Sequence, residues 1–179
     1  MDKFKAIHTN IDGLIVIEPT VFGDNRGFFM ESYNKNDFAE IGLNIDFVQD
    51  NHSRSKKGIL RGLHYQIKPY EMGKLVRVAK GKAFDVGVDI RPGSLSYGKW
   101  FGAILSEENH KMMYLPPGIA HGFLTLEDNT DFLYKCTGFY NPDAERGVMW
   151  NDPSVDIIWP LDESGPPILA ERDRNFPTI

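Results

Sequence analysis

The feature that most constrains this chain is a succession of short segments with a two-residue period, each closed by glycine, proline, asparagine or aspartate. They fall at 13–18 (GLIVIE), 27–33 (GFFMESY), 45–49 (IDFVQ), 59–66 (ILRGLHYQ) and 74–80 (KLVRVAK). Five more follow at 83–90 (AFDVGVDI), 99–105 (KWFGAIL), 112–115 (MMYL), 120–126 (AHGFLTL) and 131–137 (DFLYKCT). A two-residue period places successive side chains on opposite faces of an extended strand. Turn chemistry at Lys80-Gly81, Arg91-Pro92-Gly93 and Pro116-Pro117-Gly118 folds these strands back on one another. Only two short helices are expected, one over 37–42, where Asp37 and Glu40 have capping-box spacing, and one over 168–174. So many strands with so little helix exclude a βαβ fold. The fold class expected is all-β, a sandwich or barrel with a few short helices. With 179 residues and no repeat or linker, a single domain over 1–179 is expected.

Several function classes drop out early. No run approaches the ~18 apolar residues of a membrane-spanning helix, so no membrane association is expected. The lone Cys136 excludes an internal disulfide framework and reads as a small buried hydrophobe. The first residues lack a secretory pattern, so a cytoplasmic location is expected. Neither a G-x-G-x-x-G nor a P-loop is present, which argues against a dinucleotide or ATP cradle of those types.

Charge is distributed unevenly. The net charge of −5 argues against a nucleic-acid partner. Yet 54–84 carries nine basic residues (Arg54, Lys56, Lys57, Arg61, Lys68, Lys74, Arg77, Lys80, Lys82) against Glu71 alone, while 141–173 carries eight acids and two arginines. A basic centre in an acidic chain suits a small anionic ligand such as a phosphate ester. The same lysines would also serve as solvated guards on strand edges.

Polar residues recur on apolar strand faces. Tyr134 alternates with Phe132 and Cys136, His121 with Phe123 and Thr125, and Lys74 with Val76 and Val78. Strict alternation groups His64 with Leu60, Gly62 and Gln66, and sets Arg61, Leu63 and Tyr65 on the other face; a bulge at Gly62 would re-aim that parity. Inside a barrel such groups would be desolvated, and their pKa values would move toward the neutral forms.

At these residues the sequence resembles a known family. The strings VFGDNRGFFMESY (21–33), FVQDNHSRS (47–55), LRGLHYQ (60–66), GKLVRV (73–78), FDVGVDIR (84–91), PPGIAHGF (116–123), DFLYKCTGFY (131–140), WNDP (150–153) and ILAERD (168–173) occur in order. Together they resemble the dTDP-4-dehydrorhamnose 3,5-epimerases over about residues 9–175. The resemblance implies a cupin-type jelly roll, a double-stranded β-helix. Metal-binding cupins place two histidines in H-x-H; here that motif reads His64-Tyr65-Gln66, and His121 stands in the second motif without the remaining ligands. No metal and no cofactor are therefore expected.

The resemblance also implies a chemistry. In a dTDP-4-keto-6-deoxyglucose, the protons on C3 and C5 lie alpha to the C4 ketone, and removing either gives an enolate. His64 matches the family's base, and an imidazole titrates near neutrality. Asp173 matches the carboxylate that fixes its tautomer. Tyr134 matches the proton donor on the far face, and Lys74 the cation near the enolate oxygen. Gln49, Asp50, Asn51, His121 and Glu145 match substrate-contacting positions. Arg61 and Arg172 match the diphosphate contacts, where guanidinium groups bind oxyanions in pairs. Arg26 and Glu31 match positions that reach the nucleotide of a neighbouring subunit, with Phe28 stacking on thymine, which implies a homodimer. Alternatives of the same fold are a C3-only or C5-only epimerase of a related nucleotide deoxysugar and a 3,4-ketoisomerase. A non-catalytic nucleotide-sugar binding module is an alternative of another class.

Overall fold

A computed structural model describes residues 3–163 and 165–179. Thirteen strands and one α-helix are present among them. In chain order these are β1 (Phe4–His8), β2 (Ile15–Pro19), β3 (Phe22–Asp24), β4 (Gly27–Phe29), α1 (Lys35–Glu40), β5 (Gln49–Ser55), β6 (Leu60–Gln66) and β7 (Lys74–Lys80). They continue with β8 (Lys82–Asp89), β9 (Trp100–Ser106), β10 (Met112–Leu115), β11 (Ile119–Thr125), β12 (Thr130–Cys136) and β13 (Glu145–Gly147). Short 3₁₀ turns lie at Pro142–Ala144 and Arg172–Arg174.

Two antiparallel sheets are packed face to face. One runs in the order β1-β2-β10-β7-β12-β5 and the other β13-β6-β11-β8-β9, with β3–β4 as a separate hairpin. Most neighbours in these sheets are not consecutive in sequence, which is the Greek-key wiring of a jelly roll. The all-β jelly roll expected from the sequence is the fold observed.

Alternation explains which residues meet between the sheets. Val76, Val78 and Phe132 from the first sheet pack on Ala83, Leu105 and Phe123 from the second. The rings of Phe123 and Phe132 stack at 3.8 Å with 5° between planes. Burying such side chains contributes roughly 1.5–3 kcal/mol each before entropy is counted. Outside the second sheet, Leu60, Leu63, Val86, Val88 and Leu124 form another cluster under Trp159. Outside the first sheet, Ile15, Ile17, Leu75 and Met112 are covered by α1 through Phe38.

Several local expectations are corrected. The helix starts at Lys35 instead of 37, because the Asn34 side chain accepts hydrogen bonds from the backbone N–H groups of Asn36 and Asp37 and so fixes the N-terminus. The helix expected over 168–174 is only the 3₁₀ turn at its end, because Ile168 is drawn into a parallel bridge with Ile59. The strand expected over 45–49 begins at Gln49 and runs to Ser55.

Candidate active site

The interior between the sheets is only partly filled by core. At one end it opens into a cavity of about 590 Å³, within the range of small-molecule sites.

On the first sheet, register delivers polar side chains to this cavity in rows. Cys136 lies between Gln49 and Lys74, and one step along β12 Tyr134 lies between Asn51 and Val76. Further along, Phe132 lies between Ser53 and Val78, where the core begins. The polar groups therefore belong to the same sheet face as the core, displaced toward its open end. The Lys74 ammonium group has no hydrogen bond or ion pair among the described residues, and burial pulls its pKa below the usual 10.5 against the nearby charges of Cys136, Asp85 and Glu145. Burial likewise pushes the Tyr134 hydroxyl and the Cys136 thiol upward. The Asn51 amide donates to the Cys136 sulfur at 3.5 Å, and the Gln49 amide donates to Asn51 Oδ1 at 3.1 Å.

On the second sheet, the row is Gly147, His64, His121 and Gly87 across β13, β6, β11 and β8. The register of β6 against β11 then slips. His121 faces His64, but Phe123, two residues on, faces Arg61, three residues back. Gly62 makes this bulge possible: its φ is +128°, and a Cβ would lie 2.5 Å from the Gly122 Cα. The result corrects strict alternation, since Arg61 and His64 both line the cavity while Leu63 packs in the outer cluster.

Asp173 reaches His64 from the C-terminal 3₁₀ turn. Its Oδ1 lies 2.8 Å from His64 Nε2, and its Oδ2 accepts from the Gly62 backbone N–H at 3.2 Å. Burial pushes this carboxyl up, but the His64 contact, the Gly62 N–H and the Arg172 charge outweigh it and hold the pKa below the ordinary value. With Nε2–H donated to the carboxylate, the remaining lone pair is on Nδ1. A second pair lies beside the first: His121 Nε2 is 2.7 Å from Asp85 Oδ1, and the pair is almost entirely buried. Burial lowers the His121 pKa more than Asp85 raises it.

At the rim, Glu145 Oε2 accepts from the Tyr140 hydroxyl at 2.9 Å and from Arg172 at 2.6 Å. Arg172 Nε also lies 3.4 Å from Asp173 Oδ1. Arg61 donates through Nε and a terminal nitrogen to Ser55 Oγ at 3.3 and 3.2 Å.

Ten of the fourteen residues singled out from the sequence therefore line one cavity: Gln49, Asn51, Arg61, His64, Lys74, His121, Tyr134, Glu145, Arg172 and Asp173. The other four lie elsewhere in this chain. Asp50 points to the opposite face of β5 and pairs with Lys135 at 2.9 Å. Arg26 and Phe28 sit on the exposed β3–β4 hairpin, where Arg26 pairs with Asp24 and Phe28 lies 4.6 Å from the His110 ring. Glu31 pairs with Lys3 at 2.8 Å. Of the nine basic residues in 54–84, only Arg61 and Lys74 line the cavity. Arg54, Lys57 and Lys82 are surface ion-pair partners of Asp131, Asp162 and Glu127. Sequence reasoning missed Asp85 and Tyr140. Asp85 carried a signal, an acid inside the apolar run FDVGVDI, whereas Tyr140 had none. No group of three or more histidine, cysteine, aspartate or glutamate side chains placed to hold a metal occurs among the described residues.

Comparison with known proteins agrees with this geometry. The sequence model of the family described as dTDP-4-dehydrorhamnose 3,5-epimerase matches residues 8–179. An enzyme of that name from Pseudomonas aeruginosa is 53% identical over 95% of this chain and 93% of its own length. One from Shigella flexneri is 51% identical over 95% and 93%. A crystal structure of the dTDP-6-deoxy-D-glucose-3,5-epimerase from Legionella pneumophila, in complex with dTDP-4-keto-L-rhamnose, superposes with a TM-score of 0.93 at 47% identity, covering 98% of this chain and 92% of that one. Match of family model, length, fold and site together mean that this chain belongs to the dTDP-4-dehydrorhamnose 3,5-epimerase family.

Proposed function

We propose that this chain is an isomerase that inverts C3 and C5 of dTDP-4-keto-6-deoxyglucose, giving dTDP-4-keto-L-rhamnose. The observation that carries the reading is the His64–Asp173 pair, open to a cavity whose opposite wall holds Tyr134 and Lys74. His64 takes a proton alpha to the ketone through Nδ1, and Asp173 stabilises the imidazolium that forms. The enolate oxygen is met by Lys74, whose charge is strengthened by the dry surroundings and is not neutralised in advance by an ion-pair partner. Tyr134, from the other sheet, returns a proton to the opposite face. Its hydroxyl has no hydrogen-bond partner among the described residues and a raised pKa, which suits a neutral donor. Arg61 and Arg172 hold the diphosphate, and Gln49, Asn51, His121 and Glu145 hold sugar and nucleotide. No cofactor is needed for this sequence of proton transfers.

The same reading makes the whole chain, 1–179, one working domain in a cytoplasmic homodimer, with no nucleic-acid or membrane partner, that feeds cell-surface polysaccharide synthesis. The position of Arg26, Phe28 and Glu31 outside this chain's own cavity supports the dimer, because the hairpin is then free to serve a neighbour's nucleotide. Asp50, turned outward, supports the nucleotide site only indirectly, by holding β5 through Lys135.

The test is incubation with dTDP-4-keto-6-deoxyglucose in D₂O, reading deuterium at C3 and C5 by NMR, with a rhamnose-forming reductase reporting the product. Label at both carbons and dTDP-L-rhamnose are expected. Label at one carbon selects a single epimerase, and none with the nucleotide sugar bound selects a binding module or ketoisomerase. In His64→Ala, exchange at both carbons should fall by at least about a hundredfold with the nucleotide still bound.

A further inference from the structure

Besides its hydrogen bond to Asp173, the His64 ring has a second support. Its register neighbour on β13 is Gly147, so the strand position beside it carries no side chain. That slot is filled from the C-terminal segment. A Cβ on Gly147 would lie 2.3 Å from the Phe176 ring, and the Phe176 ring stands edge to face with His64, centroids 5.6 Å apart and 81° between planes. The backbone on both sides of Phe176 is tied down. Asp173 accepts from Gly62 N–H three residues before it. Met149 N–H donates to Pro177 O at 2.8 Å, and Ile179 N–H donates to Asp152 Oδ2 at 2.8 Å. One short segment thus supplies both the carboxylate on Nε2 and the wall beside the ring.

We propose that Phe176, seated in the slot left by Gly147, is a positioning residue that fixes the plane of the His64 imidazole and so aims Nδ1 at the substrate. A hydrogen bond to Nε2 alone leaves the ring free to rotate about the axis through that bond; a perpendicular aromatic wall removes this freedom. The proposal rests on His64 being the base. Phe176 itself touches no reacting atom, so its removal changes the orientation of the base and not the binding of the nucleotide.

The experiment compares Phe176→Ala, Phe176→Leu and His64→Ala in the D₂O exchange assay, per folded enzyme, at several substrate concentrations. Phe176→Ala is expected to lower kcat for exchange about ten- to hundredfold, since small misplacements of a catalytic group carry such penalties, with KM moving less than about twofold. Phe176→Leu, which refills the slot, should recover at least half of that loss on a logarithmic scale. Gly147→Ala should reproduce the Phe176→Ala phenotype, because its methyl displaces the ring; should it not fold, the leucine rescue still decides. If Phe176→Ala exchanges normally, or loses KM and kcat together without rescue by leucine, while His64→Ala is inactive, the positioning role is wrong and the base assignment stands. If His64→Ala exchanges both protons, the reading of the site fails first.

Discussion

Two imidazole–carboxylate pairs lie side by side on β6 and β11, and they are close to identical in length, 2.8 Å for His64–Asp173 and 2.7 Å for His121–Asp85. What surrounds them is different. The His64 side chain is 19% exposed and the His121 side chain 6%. Asp173 uses both oxygens, one on His64 and one on the Gly62 N–H. Asp85 leaves Oδ2 buried without a hydrogen bond among the described residues. His64 meets a ring supplied by the C-terminal segment; His121 lies nearly parallel to Phe132 in the core, at 6.1 Å and 30°. A short imidazole–carboxylate contact is therefore not evidence of a base by itself. Burial disfavours the imidazolium in His121, where the two neighbouring cationic groups, Lys74 and His64, oppose it as well. Both rings line the cavity, and the pair suited to act as a base is the one whose carboxylate is fully satisfied and whose ring is the more exposed.

Substitutions of the two acids put this contrast at risk most directly. Asp173→Asn keeps the shape but removes the charge that stabilises the imidazolium, and kcat for exchange should fall about 10²–10⁴-fold. Asp85→Asn should cost no more than about tenfold, since it acts on an imidazole that stays neutral. Equal losses in the two variants, measured in the same D₂O assay, would erase the distinction between the pairs.

A smaller effect separates the cavity's lysine from both pairs. Lys74 is desolvated without an ion-pair partner, so burying it costs stability. Lys74→Met should lower exchange about 10²–10³-fold, as loss of one oxyanion donor does, yet raise Tm by about 2–4 °C, the shift that roughly 1 kcal/mol produces in a chain of this size. The pH dependence has a definite sign. The folded pKa lies below the ordinary 10.5, so between the two values the unfolded chain binds more protons, and wild-type stability rises with pH through that window. Denaturant titrations at several alkaline pH values should show that rise in the wild type and a flatter profile in Lys74→Met.

The smallest effect concerns His121 alone. Its folded pKa lies below the ordinary 6.5, so stability is complete above that value and is lost as pH falls toward the folded pKa. His121→Asn should flatten the acid side of the stability profile, measured by denaturant titrations between neutral and mildly acid pH. An unchanged acid side would show that the buried pair does not govern it.

The residues themselves explain what could be read in advance. The strands that build the core, β6 to β12, were legible because one face of each is apolar. β5 was displaced in the reading because QDNHSRS has polar residues on both faces: Gln49, Asn51 and Ser53 line the cavity, and Asp50, His52 and Arg54 face outward. A binding wall removes the very alternation by which strands are recognised. β13 escaped notice because it is only Glu145–Gly147, and β1 because FKAIH lacks a clean two-residue alternation. Lys74, His121 and Tyr134 stood out as polar residues in apolar strands. Asp173 did not, because no periodicity connects a 3₁₀ turn near residue 173 to a strand more than a hundred positions earlier; only the family resemblance pointed to it. Phe176 and Gly147 carried no pattern at all, since their relation exists only once the chain has folded.

The bulge at Gly62 can be understood as a change of phase. Upstream of it β6 turns its odd-numbered Arg61 to the cavity; downstream it turns the even-numbered His64 there. Strict alternation offers a cavity every second residue, all in one register. With the phase reset, a guanidinium and an imidazole three positions apart become neighbours on one wall, and the N–H at the point of reset is the one that holds Asp173. Flattening the bulge with every residue kept would be a frameshift written in three dimensions: the sheet could still pair, but the cation and the imidazole, three positions apart, would look out of opposite sides.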